Sequence, residues 1–177
     1  RVDRRQRQMC IRDRLGLGFE LEALMRGIKN KPDIISIDGG STDSGPASLG
    51  SGTSKYSRAA IKSEWKTLMK ARKEANIPLI IGSCGTCGTN SMVDWMEEIT
   101  IELAKELGHS VKIAKLYCEQ NTEFLKSKFK SNKIFSLDPA PNLDCNLIDN
   151  LSHVVALAGA EQIKEAIKTG ADIILAG

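Results

Sequence analysis

Ile37-Asp38-Gly39-Gly40-Ser41-Thr42-Asp43-Ser44-Gly45-Pro46-Ala47-Ser48-Leu49-Gly50-Ser51-Gly52 decides how the rest of the chain is read. It follows the apolar positions Ile34 and Ile35 and holds two aspartates, five hydroxyls and five glycines. An apolar strand that stops at an Asp and opens into a glycine- and hydroxyl-rich loop is how α/β proteins build ligand sites. Residues 33–38 are expected to be that strand and residues 39–56 one long loop.

Working outward, β-type apolar runs alternate with helical periodicity. Glu20–Ile28 carries Leu21, Leu24, Met25 and Ile28 on one helical face before Pro32 breaks it. Over residues 57–75, Ile61, Trp65, Leu68 and Met69 recur at helical spacing, while Lys62, Lys66, Lys70 and Lys73 are expected to face water. Ile77–Ser83 is a continuous apolar run, the mark of a strand buried on both faces. A helix follows over residues 91–107, with Met92, Met96, Ile99, Leu103 and Leu107 inward, a capping-box-like start in Ser91 and Asp94, and Gly108 as its stop. Further strands are expected at 111–118, 153–158 and 171–175, and helices at 122–129, 143–150 and 161–168.

This alternation predicts an α/β fold with a mostly parallel sheet flanked by helices, a doubly wound, Rossmann-like three-layer sandwich; part of a (β/α) barrel is the alternative. One domain is expected over residues 15–177. Residues 1–14 are set aside, because Arg4–Arg14 reproduces the in-frame translation of a sequencing-library adapter. The closing run Ala171–Gly177 reaches a strand and its first loop glycine with no covering helix after it, so the chain reads as a fragment truncated at its C-terminus.

Setting the scar aside changes the electrostatics. It carries six Arg and two Asp; without it 19 basic and 20 acidic residues remain, and the net charge moves from +3 to −1. A near-neutral chain with mixed signs gives no reason to expect nucleic acid or an anionic membrane as partner. No run has membrane-spanning length. The scattered cysteines suit a reducing cytoplasm, where the protein is expected to work.

In parallel α/β sheets the ligand sits beyond the carboxyl ends of the strands. That rule gathers residues 38–52, 82–90, 118–121 and 158–161 on one rim, with the turns at Asp38 and Cys84 side by side. It sends His109 and His153 to the opposite end as surface or capping residues. Asp38 and Asp43 are the leading catalytic candidates. Carboxylates about 5 Å apart repel by roughly 3 kcal/mol at an effective dielectric near 20, enough to force a shared proton or recruit a divalent cation. An Asx-turn at Asp43 is the structural alternative. Glu119, after the third strand, is a further acid/base candidate. Gly39, Gly40, Ser41 and Thr42 would contact substrate.

The second loop, Ser83-Cys84-Gly85-Thr86-Cys87-Gly88, joins a buried strand to a helix start. Its glycines, three apart, would let backbone N–H groups converge on a carboxylate or phosphate at the helix N-terminus. Tight helix–sheet packing is the alternative. Cys84-x-x-Cys87 admits redox or zinc chemistry, but no second CxxC exists, and the flanking glycines favour small packing residues. Neither loop matches G-x-G-x-x-G or supplies a P-loop lysine, so no nucleotide fingerprint is present. The phosphate turn of actin-like sugar kinases shares Asp38-Gly39-Gly40-Ser41-Thr42, but there the turn joins antiparallel strands.

With these motifs in place, residues 33–52, Pro78–Gly88, Asp94-Trp95, Asp138-Pro139-Ala140-Pro141 and Gly170–Gly177 resemble the acyclic terpene utilisation (AtuA-like) family. The resemblance covers nearly all of residues 15–177, and it implies a piece truncated at both ends, with the family's N-terminal strand, before Leu15, and everything after Gly177 missing. It implies bacterial catabolism through CoA thioesters and assigns no catalytic residues. Members often carry small non-cysteine residues where Cys84 and Cys87 stand, which weakens a redox role. The expectation is therefore a catabolic enzyme, or a subunit of one, acting on a small carboxylate or CoA thioester by hydration, lyase or hydrolysis chemistry. A non-catalytic ligand-binding subunit and a sugar kinase are the alternatives, and the oligomeric state is left open.

Overall fold

The computed structural model describes residues 15–40 and 46–177 of the 177-residue chain. Among these, β1 (Ile35–Asp38), β2 (Leu79–Gly82), β3 (Ile113–Leu116) and β4 (Ile173–Ala176) form a parallel sheet in the order β1-β2-β4-β3. Ile37 lies opposite Ile81, Ile81 opposite Leu175, and Lys115 opposite Leu175. The helices are α1 (Leu21–Lys29), α2 (Ala47–Ser51), α3 (Arg58–Ala75), α4 (Asn90–Leu107), α5 (Thr122–Lys130), α6 (Cys145–Asn150) and α7 (Ala160–Lys168). The α/β class expected from the alternating periodicity is the one observed.

Strand alternation sorts the apolar residues onto two faces. Ile35, Leu79, Ile81, Ile173 and Leu175 join Leu24 of α1, Trp65 and Leu68 of α3, and Val93 and Met96 of α4 in the main core. Ile80 and Ile174 turn the other way, toward Ile163 and Ala166 of α7. The helices joining β1 to β2 and β2 to β3 thus cover one face, while α7, before β4, covers the other. The reversal of direction in the sheet between β3 and β4 accompanies this change of face, as right-handed crossovers require. α7 packs mainly on β3 and β4; beside it, Ser36 of β1 remains exposed.

Helix ends follow local chemistry. The Ser57 hydroxyl accepts from Ala60 N–H at 3.3 Å to start α3, and Asn76, with φ of +53°, ends it. Gly108 ends α4 in the left-handed region, as expected. Three expectations are corrected. Residues 47–51 form a short helix inside the long loop. Residues 153–158 form no strand; Val155 makes one isolated antiparallel bridge to Glu119. Lys62 and Lys66 do not simply face water, since they pair with Glu102 and Glu106 across to α4.

Buried polar groups tie the helices to the sheet. Arg72 of α3 is buried; its Nε donates to Ile77 O at 3.1 Å and its guanidinium pairs with Asp172 at the start of β4. Between α3 and α4, Trp65 Nε1 donates to Thr100 Oγ1 at 2.9 Å, and the Thr100 hydroxyl donates to Met96 O at 2.7 Å. Thr100→Val keeps the shape but leaves the indole N–H buried without an acceptor, which costs about 1–3 kcal/mol. The expected result is a thermal midpoint lowered by roughly 2–4 °C per kcal/mol, with Thr100→Ser close to wild type by circular dichroism.

Candidate functional site

All four strands end on one rim, and there the turns after β1 and β2 touch through their backbones. Gly39 N–H donates to Gly82 O at 2.7 Å, and Thr86 N–H to Gly39 O at 3.1 Å. A Cβ on Gly39 would stand 2.5 Å from Ser83 O, and one on Gly40 would stand 2.7 Å from Thr86 Cα. Backbone atoms cannot swing aside, and Gly40 has a φ of +137°, so both positions require glycine. The side-by-side placement of the two turns, expected from the sequence, is what the fold displays.

Asp38 ends β1 half-buried, and its Oδ1 accepts from Gly40 N–H at 2.9 Å. The self-bonded turn weighed for Asp43 is thus made by Asp38. Ser41, Thr42 and Asp43 lie outside the described residues. Beside Asp38 a cleft of about 480 Å³ runs round the outer edge of β1, reaching Ser36, Ser83, Ile80, Leu157 and Ile163. It occupies the part of the sheet that α7 leaves open.

The anion cradle expected over Ser83–Gly88 needs correction. Cys84 N–H donates to Ala176 O at 3.0 Å, Thr86 N–H to Gly39 O, and Gly88 N–H to Cys84 O at 3.0 Å. Left-handed φ values at Ser83, Gly85, Thr86 and Gly88 wind the loop back on itself, so these amides meet carbonyls instead of an anion. Cys84, Thr86 and Cys87 are buried, and the cysteines are free. Burial pushes the Cys84 thiol up, away from the thiolate that redox or zinc chemistry uses. Small packing residues are the reading that fits. Of this loop, Gly82 and Ser83 reach the cleft.

The third group lies beyond β3. Glu119 Oε2 accepts from Asn90 N–H at 3.0 Å, at the first turn of α4, and Glu119 Oε1 lies 2.5 Å from His153 Nδ1. Burial pushes the Glu119 carboxyl up, but the bonds from His153 and Asn90 outweigh it and hold its pKa below the usual range. The anion at the start of α4 is therefore Glu119, which meets the positive end of the helix. The Ser91–Asp94 capping box is absent: Thr89 is the N-cap residue, and Asp94 bonds Lys115 and Tyr117.

His153 is the residue that sequence reasoning misplaced. Residues 153–158 cross the end of β3, with Gln120 N–H bonded to Val154 O at 2.8 Å and Ala156 N–H to Cys118 O at 2.9 Å. That path brings His153 to the carboxyl rim. His109 stays behind α4, its N–H bonded to Ala104 O at 2.9 Å. Among the described residues no three His, Cys, Asp or Glu side chains gather as metal ligands, and no helix is long and apolar enough to cross a membrane.

A family model described as "Acyclic terpene utilisation family protein AtuA" matches residues 35–177. Among the curated proteins and the solved structures nothing matches the chain.

Two variants test this geometry. Gly39→Ala forces the two turns apart and is expected to lower stability by about 1–3 kcal/mol in urea unfolding. Glu119→Gln removes a carboxylate whose folded pKa lies below its unfolded value. Such a group stabilises the fold above the unfolded pKa and ceases to do so as pH falls through the folded one. Below about pH 4.5, wild-type stability should therefore decline more steeply than that of the variant in urea titrations at stepped pH.

Proposed function

The chain belongs to the acyclic terpene utilisation (AtuA) family, and from that premise we propose that it is a catabolic enzyme, or a subunit of one, acting on a small carboxylate or an acyl-CoA thioester. The observation that carries this reading is the cleft beside Asp38. Its volume of about 480 Å³ falls in the range of small-molecule sites, about 300–1,000 Å³. Ile80, Leu157 and Ile163 offer a hydrocarbon surface, while Asp38, Ser36 and Ser83 supply polar groups along it. An acyl chain with a polar head matches that division.

In this reading Asp38 is the general base or the ligand of a divalent cation, with Asp43 as its partner, and Ser41 and Thr42 bond substrate oxygens. Hydration, lyase and hydrolytic chemistry all need a carboxylate or its equivalent to move a proton. The protein works in the cytoplasm on a freely diffusing ligand. A ligand-binding subunit is the second reading, favoured by the bond from Gly40 N–H to Asp38 Oδ1, which gives the carboxylate a turn-forming role. The sugar-kinase alternative has less behind it, because its turn joins antiparallel strands and β1 pairs with β2 in parallel.

Thermal-shift screening against CoA esters, small organic acids and divalent cations identifies the ligand, and Asp38→Asn then separates the readings. For an enzyme, turnover of the responding ligand falls about 10²-fold or more while the variant's thermal midpoint stays near wild type. Turnover retained in Asp38→Asn removes Asp38 as the base, and binding without turnover in wild type supports the subunit.

A further inference from the structure

We propose that the outer edge of β3 is a self-association surface. Two copies of this chain pair their β3 strands antiparallel across a twofold axis, joining both sheets into one. An open sheet edge offers a row of unpaired N–H and C=O groups, which proteins either block or use. The sheet has two edges, β1 and β3. At β1 the Leu15 N–H already bonds Asp38 O at 2.9 Å, and the Asp38 cleft runs beside that strand. β3 differs. Ile173 N–H donates to Lys112 O at 3.2 Å and Gly177 N–H to Leu116 O at 3.0 Å, so the even positions of β3 point at β4. Backbone alternation turns Ile113, Lys115 and Tyr117 outward, where their main-chain groups meet no partner among the described residues.

The side chains choose the register. An antiparallel ladder that uses the outward groups centres on Ala114 or on Lys115. Centring on Lys115 sets two ammonium groups face to face, which is unfavourable. With Ala114 on the axis, Ile113 of each copy lies opposite Lys115 of the other. Lys115 enters that contact already neutralised, since its Nζ bonds Asp94 at 3.0 Å and Glu97 at 2.7 Å. The polar cleft of about 360 Å³ beyond β3, lined by Asn121, Ile148 and His153 among others, shares no residue with this edge.

The helix over the edge supplies the independent support. α4 joins the parallel strands β2 and β3, so it runs antiparallel to both, and it packs across β3 and β4. The bonds from Lys115 put Asp94 and Glu97 on its β3 side. Ile101, one turn beyond Glu97 on that side, is 42% exposed. Four helical residues rise about 6 Å, close to the span of two strand residues, so Ile101 lies level with Ile113, beside the axis. Paired strands sit about 4.8 Å apart, and a helix centred over β3 and β4 lies about half that distance inside β3. The two copies of α4 therefore run antiparallel roughly 10 Å apart, the separation at which helices pack. Ile101 of each copy covers the other. Glu97 and Lys105 stand four residues either side of Ile101, so each Glu97 faces Lys105 of the second copy. Within its own chain Lys105 has no ion-pair partner among the described residues. One patch thus complements itself in shape and in charge, as a twofold contact requires.

The test is the oligomeric state of the full chain. Sedimentation equilibrium across roughly 1–100 µM should show the mass rising toward twice the 19.3 kDa of one chain. Ile101→Glu should raise the dimer Kd about tenfold or more, with an unchanged circular dichroism spectrum because the side chain is exposed. In a Cys10→Ser, Cys145→Ser background, Ile101→Cys should cross-link through a short bis-maleimide, and Lys73→Cys, on the opposite side of the fold, should not. Amide exchange at Ile113 and Lys115 should slow as concentration rises. A chain that stays monomeric, a dimer indifferent to Ile101→Glu, cross-linking no better at 101 than at 73, or exchange at Ile113 and Lys115 that ignores concentration overturns the proposal. None of these results bears on the Asp38 cleft, which lies at the other edge.

Discussion

The rim of this sheet depends on one steric constraint: two turns, 43 residues apart where Gly39 meets Gly82, lie in backbone contact. Side chains at Gly39 or Gly40 would drive into main-chain atoms of residues 82–86, so the closeness exists only because those side chains are missing. The same device recurs at the end of β4, where a Cβ on Gly88 would meet the Gly177 carbonyl carbon at 2.7 Å. Small residues at successive strand ends let the loops close over the sheet. What those loops then present, Asp38 on one side and Glu119 with His153 on the other, is set by which strand each one leaves.

Most of the fold was legible, because long helices and doubly buried strands write their burial into periodicity. Ile61, Trp65, Leu68 and Met69 face the core as their spacing predicts, and the apolar run at 79–81 is buried at every position. The failures have physical reasons. Val154-Val155-Ala156-Leu157-Ala158 has strand composition, but a short apolar run does not say whether it will find a ladder, and here it crosses a strand end instead. The helix at 47–51 was hidden by Gly and Ser, whose propensity opposes it.

The candidate site was half legible. Its position came from a topological rule together with an Asp at a strand end, and both were visible in the sequence. The Glu119–His153 pair was not. Glu119 stood out only by following a strand, and nothing local tied it to a residue 34 positions onward. The start of α4 invited a cap from its own first turn, yet a carboxylate from beyond β3 supplies the anion. Partners contributed from a distance leave no periodic trace. The second loop misled for a related reason: its glycines do open left-handed conformations, but the freed amides bond protein carbonyls.

The cysteines have a practical corollary. Cys84, Cys87 and Cys118 are buried, and among the described residues Cys145 alone keeps appreciable solvent access. It begins α6, the helix whose Ile148 borders the polar cleft. A maleimide dye attached to that thiol would therefore ride on the wall of the cleft, an optical reporter placed there by the sorting of sulfur between interior and surface.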